Sequence, residues 1–297
     1  MRDSVLMVGL GEVLWDLLPT GKVLGGAPAN FAYMANLLGN CGVVASCIGN
    51  DELGREAFNV LQGRALGTEY LQHDDRHATG TAEVVIAADG QPTFTIMDSV
   101  AWDYLQWTEA WQELSTRADV ICFGTLAQRS PVSACTIDRF LRSAPVESLR
   151  ILDVNLRQSY YSADVLNRSL NHAEIVKFNE QELPLVASVL GLASASENEL
   201  ARKMLEKFCL KLVCVTRGAR GSLLVSREHE SEHKGFRVKV VDTVGAGDAF
   251  TACMAHHYLR GGSLEEIGEA ANRFASWVAS QAGATPKLDG PPVLMNR

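Results

Sequence analysis

The 297-residue chain has no uninterrupted run of 18 apolar residues, so nothing in it reads as a membrane-spanning helix. Its N-terminal apolar run, Val5 to Leu10, is too short for the core of a secretory signal and lacks a cleavage pattern; it reads as a first strand. Basic runs are missing too. Lys and Arg number 27 against 35 Asp and Glu, a net charge of −8, and no stretch could track a nucleic-acid backbone or an anionic membrane surface. The seven cysteines form no Cys-x-x-Cys pair and are scattered through apolar segments, which speaks against a structural zinc or a disulfide frame and predicts reduced, buried thiols. The seven histidines show no metal-ligand spacing, and His256-His257 read as helix-surface or packing residues. No Gly-x-Gly-x-x-Gly follows the first strand, which weakens a dinucleotide-dependent oxidoreductase. Internal repeats, low-complexity tracts and linkers are also absent. What remains is a soluble, cytoplasmic, globular protein whose 47% hydrophobic content suffices for a full core.

From Val120 onward, strands and helices alternate. Val120 to Phe123, Arg150 to Val154 and Ile175 to Phe178 read as strands; helices are expected from Ser130-Pro131 to Arg142 and near Ala163 to Leu170. Ser196-x-x-Glu199 and Ser263-x-x-Glu266 are capping boxes for two more helices. Earlier, Cys41 to Ile48 reads as a strand followed by a helix to Gln62. Thr81 to Ala87 and Thr93 to Met97 flank Ala88-Asp-Gly-Gln-Pro92 as a hairpin whose modestly apolar faces suit a small exposed sheet. The alternation predicts an α/β fold with a largely parallel sheet covered by helices on both faces, and ligands at the carboxyl ends of the strands.

Two glycine-rich strings open helices. Val241-Asp-Thr-Val-Gly-Ala-Gly-Asp-Ala-Phe250 follows an alternating segment, Phe236 to Val241, that reads as a strand, and runs into Ala249 to Leu259, where Phe250, Met254 and Tyr258 recur at helical spacing. The amides of Gly245, Ala246 and Gly247 are expected to point unpaired from a helix N-terminus, a setting that favours an anion. Asp248 would repel a resting phosphate there, which points to accepting a proton from an attacking hydroxyl. Read alone, the same string is an ordinary helix-opening turn, with Asp248 complementing the macrodipole. Gly25-Gly-Ala-Pro-Ala-Asn30 precedes a helix from Phe31 to Leu38 that Gly39 stops; read alone, it is a strand-to-helix link.

These strings resemble, in the right order and 217 positions apart from Gly25 to Asp242, the two signatures of the ribokinase-like (pfkB) sugar kinases, in the form of the fructokinases. The resemblance covers essentially the whole chain. It implies a single domain over residues 1–297, a three-layer α/β/α sandwich with a mostly parallel central sheet and a small β-sheet lid from segments near 12–24 and 80–104. It makes Asp248 the catalytic base and Gly245, Ala246 and Gly247 the anion hole. Asp16, Gly25, Gly26, Asn30, Asp103 and Arg157 would face the sugar, Arg157 through Asp153-Val-Asn-Leu-Arg157. One departure stands out: many fructokinases carry an arginine a few residues before the position of Asp103, where this chain has Met97-Asp98-Ser99.

On the nucleotide side, Asn179 with Glu182 would help hold magnesium through water; Thr216, Gly218 and Gly221, otherwise a hairpin turn, would line the ATP phosphates together with Gly247. Asn272 and the loop Gln281 to Pro286 fit the adenine side. Asp242 and Thr243 match the place where some relatives hold a monovalent cation such as potassium. The expected activity is transfer of the γ-phosphoryl group of ATP to a terminal hydroxyl of a small sugar, fructose to fructose 6-phosphate first. The alternatives are ribose, 2-keto-3-deoxygluconate or a nucleoside, and a catalytically silent sugar sensor. Relatives often form homodimers through the lid sheet.

Overall fold

The computed structural model describes residues 4–18, 21–86 and 92–287. Its strands are β1 (Leu6–Leu10), β2 (Leu14–Leu18), β3 (Gly21–Gly25), β4 (Cys41–Gly49), β5 (Leu71–Asp74), β6 (Gly80–Ile86) and β7 (Pro92–Ile96). They continue with β8 (Val120–Phe123), β9 (Leu149–Asp153), β10 (Ile175–Asn179), β11 (Leu212–Thr216), β12 (Ser222–Val225) and β13 (Glu230–His233). The helices are α1 (Ala27–Leu37), α2 (Glu52–Gly63), α3 (Glu109–Arg117), α4 (Pro131–Ser143) and α5 (Ala163–His172). Then come α6 (Glu182–Val189), α7 (Glu197–Lys207), α8 (Ala246–Tyr258) and α9 (Leu264–Ala279).

Nine strands make one sheet in the order β13-β12-β11-β10-β9-β8-β1-β4-β5, parallel from β11 through β5, with β12 and β13 antiparallel at one edge. Four strands make a second sheet, β3-β2-β6-β7. Because successive side chains on a strand face opposite ways, each buried strand feeds two cores. Ile121, Phe123, Leu152, Val176 and Phe178 pack with α3 to α7, while Val120, Cys122, Ile151 and Ile175 pack with α1, α8 and α9. The fold therefore matches the expected sandwich. The chain starts on β1 in mid-sheet, builds β4 and β5 to one side, and returns to the other side with β8; the carboxyl ends of β1 and β8 are thus the crevice where strand order reverses.

Glycine lets α1 lie almost on the backbone of the sheet. A methyl group on Gly9 would fall 2.0 Å from the carbonyl oxygen of Pro28, and one on Gly42 would fall 1.9 Å from that of Ala32. This close seating fixes where the first turn of α1 meets the end of β1.

Several local expectations are corrected. Residues 236–241 form no strand: Val238, Val240 and Val241 are exposed, and the amides of Val241 and Asp242 donate to the carbonyl of Ala279 at the end of α9. Alternation supplies a strand's period but no neighbour to pair with, and the sheet ends at β13. Ser130 precedes α4 without capping it, because its hydroxyl donates to the Asp103 carbonyl. Ser196 is only half a capping box, since the Glu199 carboxylate is taken by Ser194 and Lys203; Ser263 and Glu266 make the full box. Cys41, Cys135 and Cys209 are exposed, so only four of the seven free thiols are buried as expected. The hairpin strands pair as β6 and β7; of the turn expected over Ala88 to Pro92, Pro92 opens β7, and residues 87–91 lie outside the described residues.

The seating of α1 is open to a direct test. Gly9→Ala forces the helix off the sheet, and urea unfolding is expected to show a loss of about 1–3 kcal/mol, the usual cost of overpacking.

Candidate active site

Two helices aim their N-termini at the crevice without side-chain caps: α1, which begins after Gly26, and α8, which begins after Gly245. Gly245 has φ 79°, a left-handed conformation that disfavours a side chain, and a methyl group there would lie 2.4 Å from the carbonyl oxygen of Ala284. One expectation fails in detail. The amide of Ala246 donates to the Thr243 carbonyl, so within the turn only those of Gly245 and Gly247 lack a partner among the described residues.

Asp248 lies in the first turn of α8, and its Oδ2 accepts a hydrogen bond from Asn30 Nδ2 of α1 at 2.8 Å. These residues are 218 positions apart. The buried surroundings, reinforced by the nearby charge of Asp153, push the Asp248 carboxyl up to about 6 from its ordinary 3.8, against the pull of Lys177, Asn30 and Arg157. A carboxyl tuned this way is half-ready to take a proton near neutrality.

Beneath this turn lies Lys177, which the sequence reading did not single out. On β10 it alternates onto the face that carries α8, as Asp153 does on β9. Its Nζ donates to both Asp153 oxygens at 3.0 Å, and Thr251 Oγ1 of α8 donates to Asp153 Oδ2 at 2.9 Å. A methyl group on Gly247 would be 3.0 Å from the same Nζ, so the ammonium sits directly under the glycine turn. Burial by itself would lower the lysine's affinity for its proton; the carboxylates of Asp153, Glu182 and Asp248 outweigh it and raise it, keeping the group cationic. The signal was legible in principle as a charged residue inside the apolar run Ile-Val-Lys-Phe-Asn.

The structure also gathers Asp16, Gly25, Gly26 and Arg157. Asp16 on β2 is half-buried, and its Oδ2 is 2.8 Å from where a side chain on Gly25 would begin. Burial raises its carboxyl and Arg157 lowers it. Arg157 is exposed and lowers the Glu12 and Asp248 carboxyls as well, so one guanidinium serves three acids.

Asp103 does not join this group. It is buried, and Arg129 clasps it with two 2.8 Å hydrogen bonds, Nε to Oδ1 and Nη2 to Oδ2. Arg129 is held over Trp102 and Tyr160, 4.0 Å and 4.6 Å from the ring centres, and donates to the Met97 carbonyl. A guanidinium from outside the Met97-Asp98-Ser99 stretch thus reaches it.

The nucleotide-side candidates are mostly engaged within the protein. Asn179 Oδ1 accepts from the amides of Gln181 and Glu182 at 2.9 Å, while Glu182 accepts from Leu156 N at 2.9 Å and Asn179 N at 2.8 Å. Thr216 ends β11, and Gly218 and Gly221 shape the turn into β12. Asn272 is buried, its Nδ2 donating to Ser222 Oγ and the Gly268 carbonyl, and so it ties α9 to β12. Asp242 holds the amides of Val244 and Gly283, and the Thr243 carbonyl already accepts from Ala246.

The chain can now be placed among known proteins. A family model described as pfkB family carbohydrate kinase matches residues 18–290. The chain belongs to that family. It is 28% identical to fructokinase-1 of Oryza sativa subsp. japonica over 96% of this chain and 95% of that protein. An uncharacterized sugar kinase from Pyrococcus horikoshii, solved in complex with ATP, superposes with TM-score 0.78 at 26% identity over 95% of this chain and 94% of that one. The 2-dehydro-3-deoxygluconokinase of Thermotoga maritima shares the fold, with TM-score 0.82 at 17% identity over 96% of each chain. No described helix of this family member is long and apolar enough to cross a membrane.

The raised carboxyl sets a stability test. Asp248 binds its proton more tightly folded than unfolded, so it costs stability as pH rises from 3.8 through about 6, and the cost is complete above that. Asp248→Asn is therefore expected to raise Tm at pH 8, with the gain vanishing below pH 3.8; thermal scans across pH check it.

Proposed function

We propose that the protein phosphorylates a primary hydroxyl of a small sugar with ATP, fructose being the first choice. The observation that carries this reading is Asp248, held by Asn30 at the open N-terminus of α8 directly above a buried ammonium. Asp248 accepts the proton of the sugar hydroxyl while the sugar's hydroxyl oxygen bonds to the γ-phosphorus; the bond from that phosphorus to the ADP oxygen breaks, and ADP leaves. The free amides of the glycine turn and Lys177 balance the charge on the transferring phosphoryl group. Asp16 and Arg157 orient the sugar hydroxyls from the opposite wall. The small sheet acts as a lid over the sugar and excludes water, which would otherwise be phosphorylated in its place.

Among the described residues, no group of three His, Cys, Asp or Glu could hold a metal directly. That donor set fits a magnesium ion that arrives with the nucleotide and keeps its waters, with Asn179 and Glu182 outside that shell. Bound there, it would neutralise charge on the ATP phosphates. Any monovalent cation would use the loop around Asp242 and Thr243.

Fructose is favoured by the Gly25-Gly-Ala-Pro-Ala-Asn30 form and by the fructokinase names among relatives. A second reading, a keto-deoxy sugar acid, draws on the exposed guanidinium of Arg157, which would pair with a carboxylate.

ADP release with magnesium and a panel of fructose, ribose, glucose, mannose, 2-keto-3-deoxygluconate and adenosine separates these substrates. Fructose is expected to give the highest kcat/KM, and Asp248→Asn to lower kcat by about 10²–10⁴-fold, the range for a lost general base. Saturable sugar binding with no phosphoryl transfer would instead make the protein a sensor.

A further inference from the structure

Glu12 is unexplained by this mechanism. It follows β1, is 4% exposed, and its Oε2 has no hydrogen-bond partner. A buried carboxylate oxygen left unpaired is expensive, so its setting needs a reason. Part of the reason is structural: the backbone amides of Glu12 itself and of Ala27, the first residue of α1, lie against the carboxylate, which stands in for the cap that Gly26 cannot provide. That accounts for stabilising the negative charge but not for the unpaired oxygen.

The remaining part is a small pocket of about 10 Å³, room for one water molecule. Glu12 and Asp248 both line it, together with Pro28 and Phe31 of α1, Cys122 at the end of β8 and Asp153 at the end of β9. The walls are otherwise largely apolar, so the two carboxyls share one small, mostly apolar space. The charged and titratable groups around Glu12 are Arg157 from the loop after β9, Asp248 from α8, Asp153 with its partner Lys177 from β9 and β10, and the Cys122 thiol.

Resting on the kinase reading above, we propose that Glu12 is a positioning residue for the base, which receives through one water in this cavity the proton that Asp248 has taken from the sugar. The balance is simple. The carboxylic acid of Asp248 gives its proton to the water, the water gives one to the Glu12 carboxylate, and Asp248 returns to the anion; the proton leaves to solvent from Glu12 after products depart. No oxidant, reductant or further reactant enters. The arrangement lets the base reset while a lid still shuts off solvent. The order of affinities suits this direction: burial, with the Asp248 charge adding to it, lifts Glu12 to about 7, above Asp248 at about 6.

The test compares wild type, Glu12→Gln and Asp248→Asn. Gln keeps the shape and an oxygen to accept from the α1 amide, but takes up no proton. In wild type, kcat is expected to rise with pH in two steps, near 6 and near 7. In Glu12→Gln only the lower step remains, and kcat at pH 8 falls by about 10-fold, less than loss of the base itself, with the sugar KM changed less than about twofold. Turnover with an unchanged two-step profile overturns the relay while leaving the kinase reading intact. Absence of sugar-dependent turnover in wild type removes the kinase reading beneath it. Independently of turnover, carboxyl carbon NMR of Glu12 in Asp248→Asn is expected to show a midpoint below that of wild type; an unmoved midpoint means the two groups do not communicate and overturns the proposal.

Discussion

A buried lysine under a glycine turn is the constraint on which the site depends. Lys177 holds Asp153 with both carboxylate oxygens, Thr251 completes that carboxylate, and the three residues come from β10, β9 and α8. Breaking such a pair by deleting one partner leaves an uncompensated charge, which is why buried pairs, though expensive to form, are costly to disturb. The pair locks the N-terminal turn of α8 onto the ends of two parallel strands. It also leaves the ammonium facing Gly247, where a methyl group would lie 3.0 Å from it.

Around this pair, acids outnumber bases. Glu12, Asp16, Asp153 and Asp248 meet Lys177 and Arg157, and burial lifts the carboxyls of Glu12, Asp16 and Asp248 above their ordinary values. The surplus of acids suits hydroxyl substrates, whose protons carboxylates accept or bind. The N-terminus of α8 supplies the opposing positive potential without adding a titratable group, while that of α1 meets the Glu12 carboxylate.

The geometry comes from close packing as much as from charge. With Gly9 and Gly42 letting α1 rest on β1 and β4, Asn30 reaches across to Asp248 in the other uncapped helix. The Asn30 amide then fixes one oxygen of Asp248 and leaves the other free of it. Arg129 plays a comparable part further out, clasping Asp103 and reaching the Met97 carbonyl near the end of β7 in the small sheet.

The sequence by itself determined the α/β class, the order of most strands and helices, and the two glycine turns with Asp248 and Asn30, because local periodicity, capping chemistry and glycine's backbone freedom act over a few residues. It could not decide that Phe236 to Val241 lacks a strand partner, since pairing is made by a distant neighbour. Nor could it reveal the roles of Lys177, Glu12 and Arg129, or that Asp103, Asn179 and Asn272 spend their polar atoms inside the protein. Only the tertiary structure decided those, because burial and electrostatic partnership depend on which residues far apart in the chain are brought within a few ångströms of one another.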